Sequence, residues 1–421
     1  MKRREFLKLS ATSLGALGLT QPAAAGGAKT PAGRPSASPG TRRPGSTYTG
    51  DFLNRVAFPM GGMGAGMICL EGTGALSHFS LRHKPEVFNE PVTFGALCVL
   101  GEPPVARVLE GPVPDWKKFG QPGSGNGAAG TAFGLPRFRQ AAFQARFPFA
   151  TVTLADKDVP FAVAITGWSP FEPGDADNAS LPVAALEYRF TNRTNRSCAA
   201  VFSWSARNFM AVGNNPQAVR ATRSGFLLTS GAPKDRPWEE GAFSATVDDP
   251  AVKVNCAWFR GGWWDPLTMA WKEIASGQCI ERPPVTEGGH SPGATLFVPF
   301  QLGPRASKTI VLRFAWYVGQ TNLRLGKDAE GQPADPAAQG AYRPWYAARF
   351  KDISEVTDYW REHYDKLRAN TQRFSDCFYD STLPAEVLEA VAANLTILKS
   401  PTVLRQADGR LWGWEGCSDG G

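Results

Sequence analysis

The stretch KTIVLRFAWY, residues 308–317, alternates Ile310, Leu312, Phe314 and Trp316 with Thr309, Val311, Arg313 and Ala315. A period of two is that of a β-strand, because successive side chains point to opposite faces of a sheet. The sequence thus predicts a strand with one dry face. Residues 92–100, 147–154, 161–166, 183–191, 199–205 and 252–259 are likewise rich in β-branched and aromatic side chains and are cut by Gly, Pro, Asn and Asp. No long helix interrupts them between residues 52 and 319. Strand after strand without crossover helices implies antiparallel pairing, since parallel strands need βαβ connections. The 45 glycines and 34 prolines among 421 residues fit many short strands joined by turns. The expected fold is mainly β, with a large antiparallel sandwich.

Helical spacing begins near Asp352. Ile353, Val356, Trp360, Tyr364 and Leu367 recur every three to four residues and fall on one helix face. After a break at Ser381, Pro384 suits a first helical turn, and Val387, Leu388, Val391, Leu395 and Leu398 form a second apolar stripe that Ser400-Pro401 ends. The chain then runs through LWGWEGCSDGG, with neither a finishing strand nor a capped helix expected there.

The formal charge of +7 comes from 45 Lys and Arg against 38 Asp and Glu. Eight of the basic residues and one acidic residue, Glu5, lie in residues 1–50, which leaves 37 of each sign from residue 51 onward. The body is neutral. Nucleic-acid binders carry a basic face, so that class of partner is not expected. Residues 1–25 read as an export signal: Arg3-Arg4-Glu5-Phe6-Leu7-Lys8 resembles a twin-arginine n-region, a mild apolar run follows, and Ala23-Ala24-Ala25 closes it. The apolar run is too short for a membrane span, so no transmembrane segment is expected. A periplasmic or extracellular location follows. Residues 26–50, poor in large apolar side chains, read as a flexible linker.

Seven cysteines lie far apart without a CxxC, and the four histidines lack HxH or HExxH spacing. These patterns suggest mostly free, buried thiols and no zinc site, and no cofactor is implied. Gly61-Gly62-Met63-Gly64-Ala65-Gly66 matches neither phosphate-loop template, and its glycines read as permits for close backbone packing or bends in a strand.

FPMGGMGAGMICLEGTG, residues 58–74, resembles the opening of the N-terminal domain of glycoside hydrolase family 116, the family of bacterial β-glucosidases and non-lysosomal glucosylceramidases. Residues 167–194, GWSPFEPGDADNASLPVAALEYRFTNRT, and residues 383–417, LPAEVLEAVAANLTILKSPTVLRQADGRLWGWEGC, resemble later segments of the same family in the same order. The resemblance implies a β-sandwich packed on a C-terminal (α/α)6 barrel, of which this chain holds the first helices and lacks the remainder. It implies domains at 51–350 for the sandwich and 351–421 for the helical linker and beginning of the barrel. The implied chemistry is hydrolysis of β-glucosides or related β-glycosides with retention, acting on a carbohydrate substrate or glycolipid. The family's glutamate nucleophile and aspartate acid/base belong to barrel segments beyond the equivalent of Cys417, so no catalytic residue is placed here. The missing barrel would be an intramolecular partner of the sandwich.

Three residues stand out as a candidate substrate rim at the start of the barrel, namely Trp412, Trp414 and Glu415, because indole faces stack on pyranose rings. Glu172, Asp175 and Asp177 share a Gly/Pro loop; carboxylates so placed can act as acid and base or hold calcium, yet Asp and Asn in such loops more often bond their own backbone. Trp263 and Trp264 beside Gly261-Gly262 read as projecting from a loop, and His78 and His83 as structural. The alternative from another class is a non-catalytic β-sandwich that binds glycan or docks to a partner.

Overall fold

A computed structural model describes residues 42–119, 131–263, 265–321 and 343–413. The export signal, residues 26–41 of the expected linker, and Trp264, Trp414, Glu415 and Cys417 lie outside the described residues.

The strands in chain order are β1 (Tyr48–Thr49), β2 (Ala57–Gly61), β3 (Met67–Glu71), β4 (Leu76–Ser80), β5 (Thr93–Val99), β6 (Val105–Val108), β7 (Gln140–Arg146), β8 (Phe149–Ala155), β9 (Phe161–Trp168) and β10 (Val183–Asn192). They continue as β11 (Cys198–Arg207), β12 (Gln217–Thr222), β13 (Gly225–Ser230), β14 (Gly241–Val247), β15 (Lys253–Asn255), β16 (Gly293–Leu302), β17 (Ser307–Tyr317), β18 (Val403–Arg405) and β19 (Leu411–Gly413). A nine-stranded sheet runs β1-β7-β8-β9-β10-β17-β14-β13-β12, and a five-stranded sheet runs β15-β16-β11-β5-β6. Every named pairing in both is antiparallel, as the absence of crossover helices required.

The alternating stretch at residues 308–317 lies in β17. Ile310, Leu312, Phe314 and Trp316 enter the core between the sheets, meeting Leu186, Tyr188 and Phe190 of β10 and Phe202 and Trp204 of β11. Its other face is not left to water. Val311 and Ala315 pack with Phe149, Trp168, Val183 and Ala185 against the helix Ile353–Tyr379, whose buried residues include all five of the stripe read from the sequence. Arg313, on that same face, is buried, ion-paired to Asp248 and set over the Tyr364 ring. The helix starts where Asp352 accepts from the backbone N–H groups of Ser354 and Glu355 at 2.8 and 3.1 Å, satisfying donors that no earlier turn can reach.

The five-stranded sheet is covered on its outer face too. A helix, Pro266–Ala275, inserts Leu267 and Ile274 against Phe94, Ala96, Val201 and Phe297. The strand reading passed over this element, although Asp265 caps it by accepting from Thr268 N–H and Pro266 opens its first turn. Four further features depart from expectation. Tyr48 and Thr49, assigned to the linker, form an edge strand on β7, and Arg42 pairs with Glu389. The helix Ala385–Leu395 buries Ala392 and half-buries Leu388, while Val387 and Val391 remain 41% and 43% exposed, so its expected stripe is only partly covered. Pro384 is its cap and not its first turn. A hairpin, β18–β19, follows where no finishing strand was expected. No helix of the described residues is long and apolar enough to cross a membrane.

Candidate functional site

The β2–β3 hairpin closes through residues 62–66, and its glycines are required by what touches them. Gly64 has φ +65°, a left-handed conformation that disfavours a Cβ, and a Cβ there would stand 2.1 Å from the Arg405 nitrogen. A Cβ on Gly62 would stand 2.4 Å from the Leu181 carbonyl oxygen. Close backbone packing, as read from the sequence, is therefore their function. Three elements use that closeness. Met63 N–H donates to Ala179 O at 2.7 Å, Gly61 N–H donates to Ser169 Oγ at 2.9 Å, and Arg405 N–H donates to Gly64 O at 3.2 Å. Beneath the loop, Trp316 Nε1 of β17 donates to Ala65 O at 2.7 Å.

Two cations lock the joint from the C-terminal side. Lys399 is buried to 1% exposure, and its ammonium donates to Ser169 Oγ at 2.5 Å, Ser169 O at 3.1 Å and Pro170 O at 3.2 Å. Without a carboxylate beside it, burial pulls its pKa down from the usual lysine value to about 7. Arg405 spreads its guanidinium over Ala176 O, Ser180 Oγ and Asp177 Oδ1, the last at 2.8 Å, and lies over the Trp345 ring. The loop carboxylates thus each have a partner: Asp177 holds Arg405, Asp175 caps the turn by accepting from Asn178, and Glu172 accepts from Asn370 at 2.7 Å.

The result is that the three sequence segments, separated by more than 200 residues at the extremes, meet at one junction: the glycine loop, the 169–181 segment, and the 399–405 segment. Trp412 sits one strand from it, opposite Leu404 in the β18–β19 hairpin, half-buried and with its indole nitrogen unpartnered. Trp263 is 95% exposed, as a projecting loop residue should be. His83 is buried with Nε2 3.1 Å from both Val318 O and Tyr346 Oη, and burial lowers its pKa to about 4; His78 Nδ1 accepts from Phe88 N–H at 3.0 Å. The six described cysteines are free thiols, with Cys69, Cys98 and Cys256 buried and Cys377 exposed. Lys399, Ser169 and Arg405 were missed by the sequence reading, because a lysine held by carbonyl and hydroxyl oxygens and phenylalanine rings leaves no charge pattern to find.

A second feature ties the helical part to the sandwich. Glu187 of β10 receives Arg368 in two bonds of 2.5 and 2.9 Å, Tyr364 Oη at 2.8 Å and Trp168 Nε1 at 2.9 Å. A carboxylate so loaded satisfies both of its oxygens inside the interface.

Solved structures with some likeness include a putative kojibiose phosphorylase from the human microbiome (8% identity, TM-score 0.34, covering 85% of this chain and 34% of that one). Another is a family GH92 α-mannosidase from Bacteroides thetaiotaomicron (11% identity, TM-score 0.34, 88% and 44%). The chain thus spans less than half the length of these structures. No curated protein sequence matches the chain. The family model described as beta-glucosidase 2, glycosyl-hydrolase family 116 N-term matches residues 57–367, a span holding two of the three converging segments and the sandwich they join. Because that match covers nearly three quarters of the 421 residues, the chain belongs to glycosyl-hydrolase family 116 and carries its N-terminal domain.

Proposed function

We propose that this chain is the sandwich-bearing N-terminal portion of an exported, retaining glycoside hydrolase that acts on β-glucosides or related β-glycosides. The observation that carries the reading is the family match over residues 57–367, supported by the junction at which the glycine loop, the 169–181 segment and the 399–405 segment lock together. Such a joint holds the 399–405 segment in fixed relation to the sandwich, and positioning is what a glycosidase asks of a supporting domain. In this reading the sandwich, residues 51–350, walls and orients a helical barrel begun by residues 351–421. Trp412, Trp414 and Glu415 line the substrate rim.

Retention requires two carboxyl groups about 5–5.5 Å apart, one attacking the anomeric carbon while the other protonates the leaving oxygen and then activates water. The proposal places both on the barrel. Export through a twin-arginine signal would deliver the folded protein to the periplasm or cell surface. The test is release of the aglycone from an aryl β-glucoside by the purified chain and by the gene product read through any coding sequence that follows residue 421. Absence of hydrolysis of every β-glycoside by the latter overturns the assignment.

A further inference from the structure

The β2–β3 hairpin has a second end. Ala57 pairs with Glu71 there, four residues along β3 from Met67, or about 13 Å at roughly 3.3 Å per residue. At this end a cavity of about 290 Å³ opens, lined among others by Glu71, Glu90, Glu110, Lys117, Thr93 and Trp116. A larger concavity of about 720 Å³ adjoins it and shares Thr73, Val113, Pro114 and Trp116, so the two form one groove astride the indole.

The lining is ionic, three carboxylates against two cations, and each charge has an ion-pair partner. Lys117 Nζ lies 2.5 Å from Glu71 Oε1 and 2.7 Å from Glu90 Oε2, and Arg137 Nε lies 3.1 Å from Glu110 Oε2. Three carboxylates repel an anion, and two tethered cations repel a metal dication. A neutral polyhydroxylated ring suits both signs at once, since its hydroxyls donate to carboxylate lone pairs and accept from ammonium and guanidinium. Thr93 lines the cavity at 6% exposure and its buried hydroxyl has no partner among the described residues, the kind of polar group that a ligand or water ordinarily satisfies. Trp116 is half-buried, fixed by donating Nε1 to Asn54 O at 2.6 Å, flanked by Phe88 edge-on at 6.2 Å, and overlaid by the Arg55 guanidinium 4.3 Å from the ring centroid. With Arg55 on one face, the rigid indole at the seam of two concavities keeps its opposite face for stacking on pyranose C–H groups. The smaller cavity is at the low end of ligand-pocket volumes, which fits one ring and not a bulky aglycone.

We propose that this groove is a glycan-binding subsite of the sandwich, seating one sugar ring in the Glu71–Glu90–Glu110 cavity with the chain crossing Trp116. Lys117, tied to two of the carboxylates, makes the cluster a holding site and not a nucleophile pair. Burial raises the carboxyl pKa values of Glu90 and Glu110. The inference shares with the proposed function only its ligand class, so a chain devoid of hydrolysis still binds.

The experiment is calorimetric titration of the full chain with methyl β-D-glucopyranoside and with cellobiose, alongside calcium chloride and inorganic phosphate. Saturable glycoside binding is expected, tighter for cellobiose, weakened tenfold or more by Trp116→Ala and several-fold by Thr93→Val, and unchanged by Trp263→Ala at an exposed site elsewhere. Thermal melts establish that each variant is folded; should Trp116→Ala melt early, Thr93→Val, which keeps the side-chain shape, decides. Absence of glycoside binding, binding of calcium or phosphate alone, or glycoside binding indifferent to both Thr93→Val and Trp116→Ala overturns the proposal.

Discussion

The ammonium of Lys399 donates to the hydroxyl of Ser169 across 2.5 Å, 230 residues away in sequence and inside the protein. No carboxylate among the described residues neutralises it, so folding must desolvate a charge, and its pKa falls from 10.5 to about 7. Between those values the unfolded chain keeps a proton that the folded chain has released. Unfolding then takes up a proton, and stability rises with pH by up to about 1.4 kcal/mol per unit. Against a Lys399→Met variant, wild type should gain relative stability as pH rises from 7 toward 10.5. Chemical denaturation at several pH values reads this directly, and parallel curves for the two proteins would refute it.

Gly64 tests the junction from the other side. Gly64→Ala places a methyl group on the Arg405 nitrogen and strains a left-handed residue, at a cost of about 1–3 kcal/mol. The loss should be local. Cleavage by trypsin at Arg405 is expected to quicken well before the sandwich melts, whereas Gly303→Ala, with open space around its Cβ and an ordinary φ, should leave the digestion pattern unchanged.

Legibility divided along a physical line. Period-two and period-3.6 patterns revealed β17 and the helix Ile353–Tyr379, because those elements are amphipathic along their own length. Val311 and Ala315 misled: short apolar side chains alternating with Thr309 and Arg313 look like a solvated face, and only a helix arriving from about 40 residues downstream makes them interior. The β18–β19 hairpin had a signal in Asp408-Gly409, a turn pair, but strands of three residues carry too few positions to show a period. The convergence of three segments on Gly64 is long-range and leaves no local trace at all. The family resemblance located the segments; their meeting is a property of the fold.

Glu187 and Arg368 should prove coupled. The bidentate pair crosses from sheet to helix, and Arg368 keeps about a third of its side chain in solvent, so the expected coupling in a double-mutant cycle of Glu187→Gln and Arg368→Ala is modest, about 1–2 kcal/mol. Additive losses would show the bond contributes nothing beyond packing.

His83 gives an acid-side signature. Burial depresses its pKa to about 4, while the unfolded ring titrates near 6.5. As pH falls from 6.5 to 4 the unfolded chain binds a proton that the folded chain refuses, and stability is lost in that window. His83→Asn, whose side chain tolerates the residue's φ of +62°, should flatten the loss, seen as melting temperatures that change less between pH 7 and 4.5.

If the sandwich serves a retaining β-glycosidase as proposed, the anomer first released reports on it most directly. Proton NMR of an aryl β-glucoside digested by the gene product read through any sequence following residue 421 should show β-glucose appearing first and then mutarotating. First release of α-glucose, or no release from any β-glycoside, would contradict it.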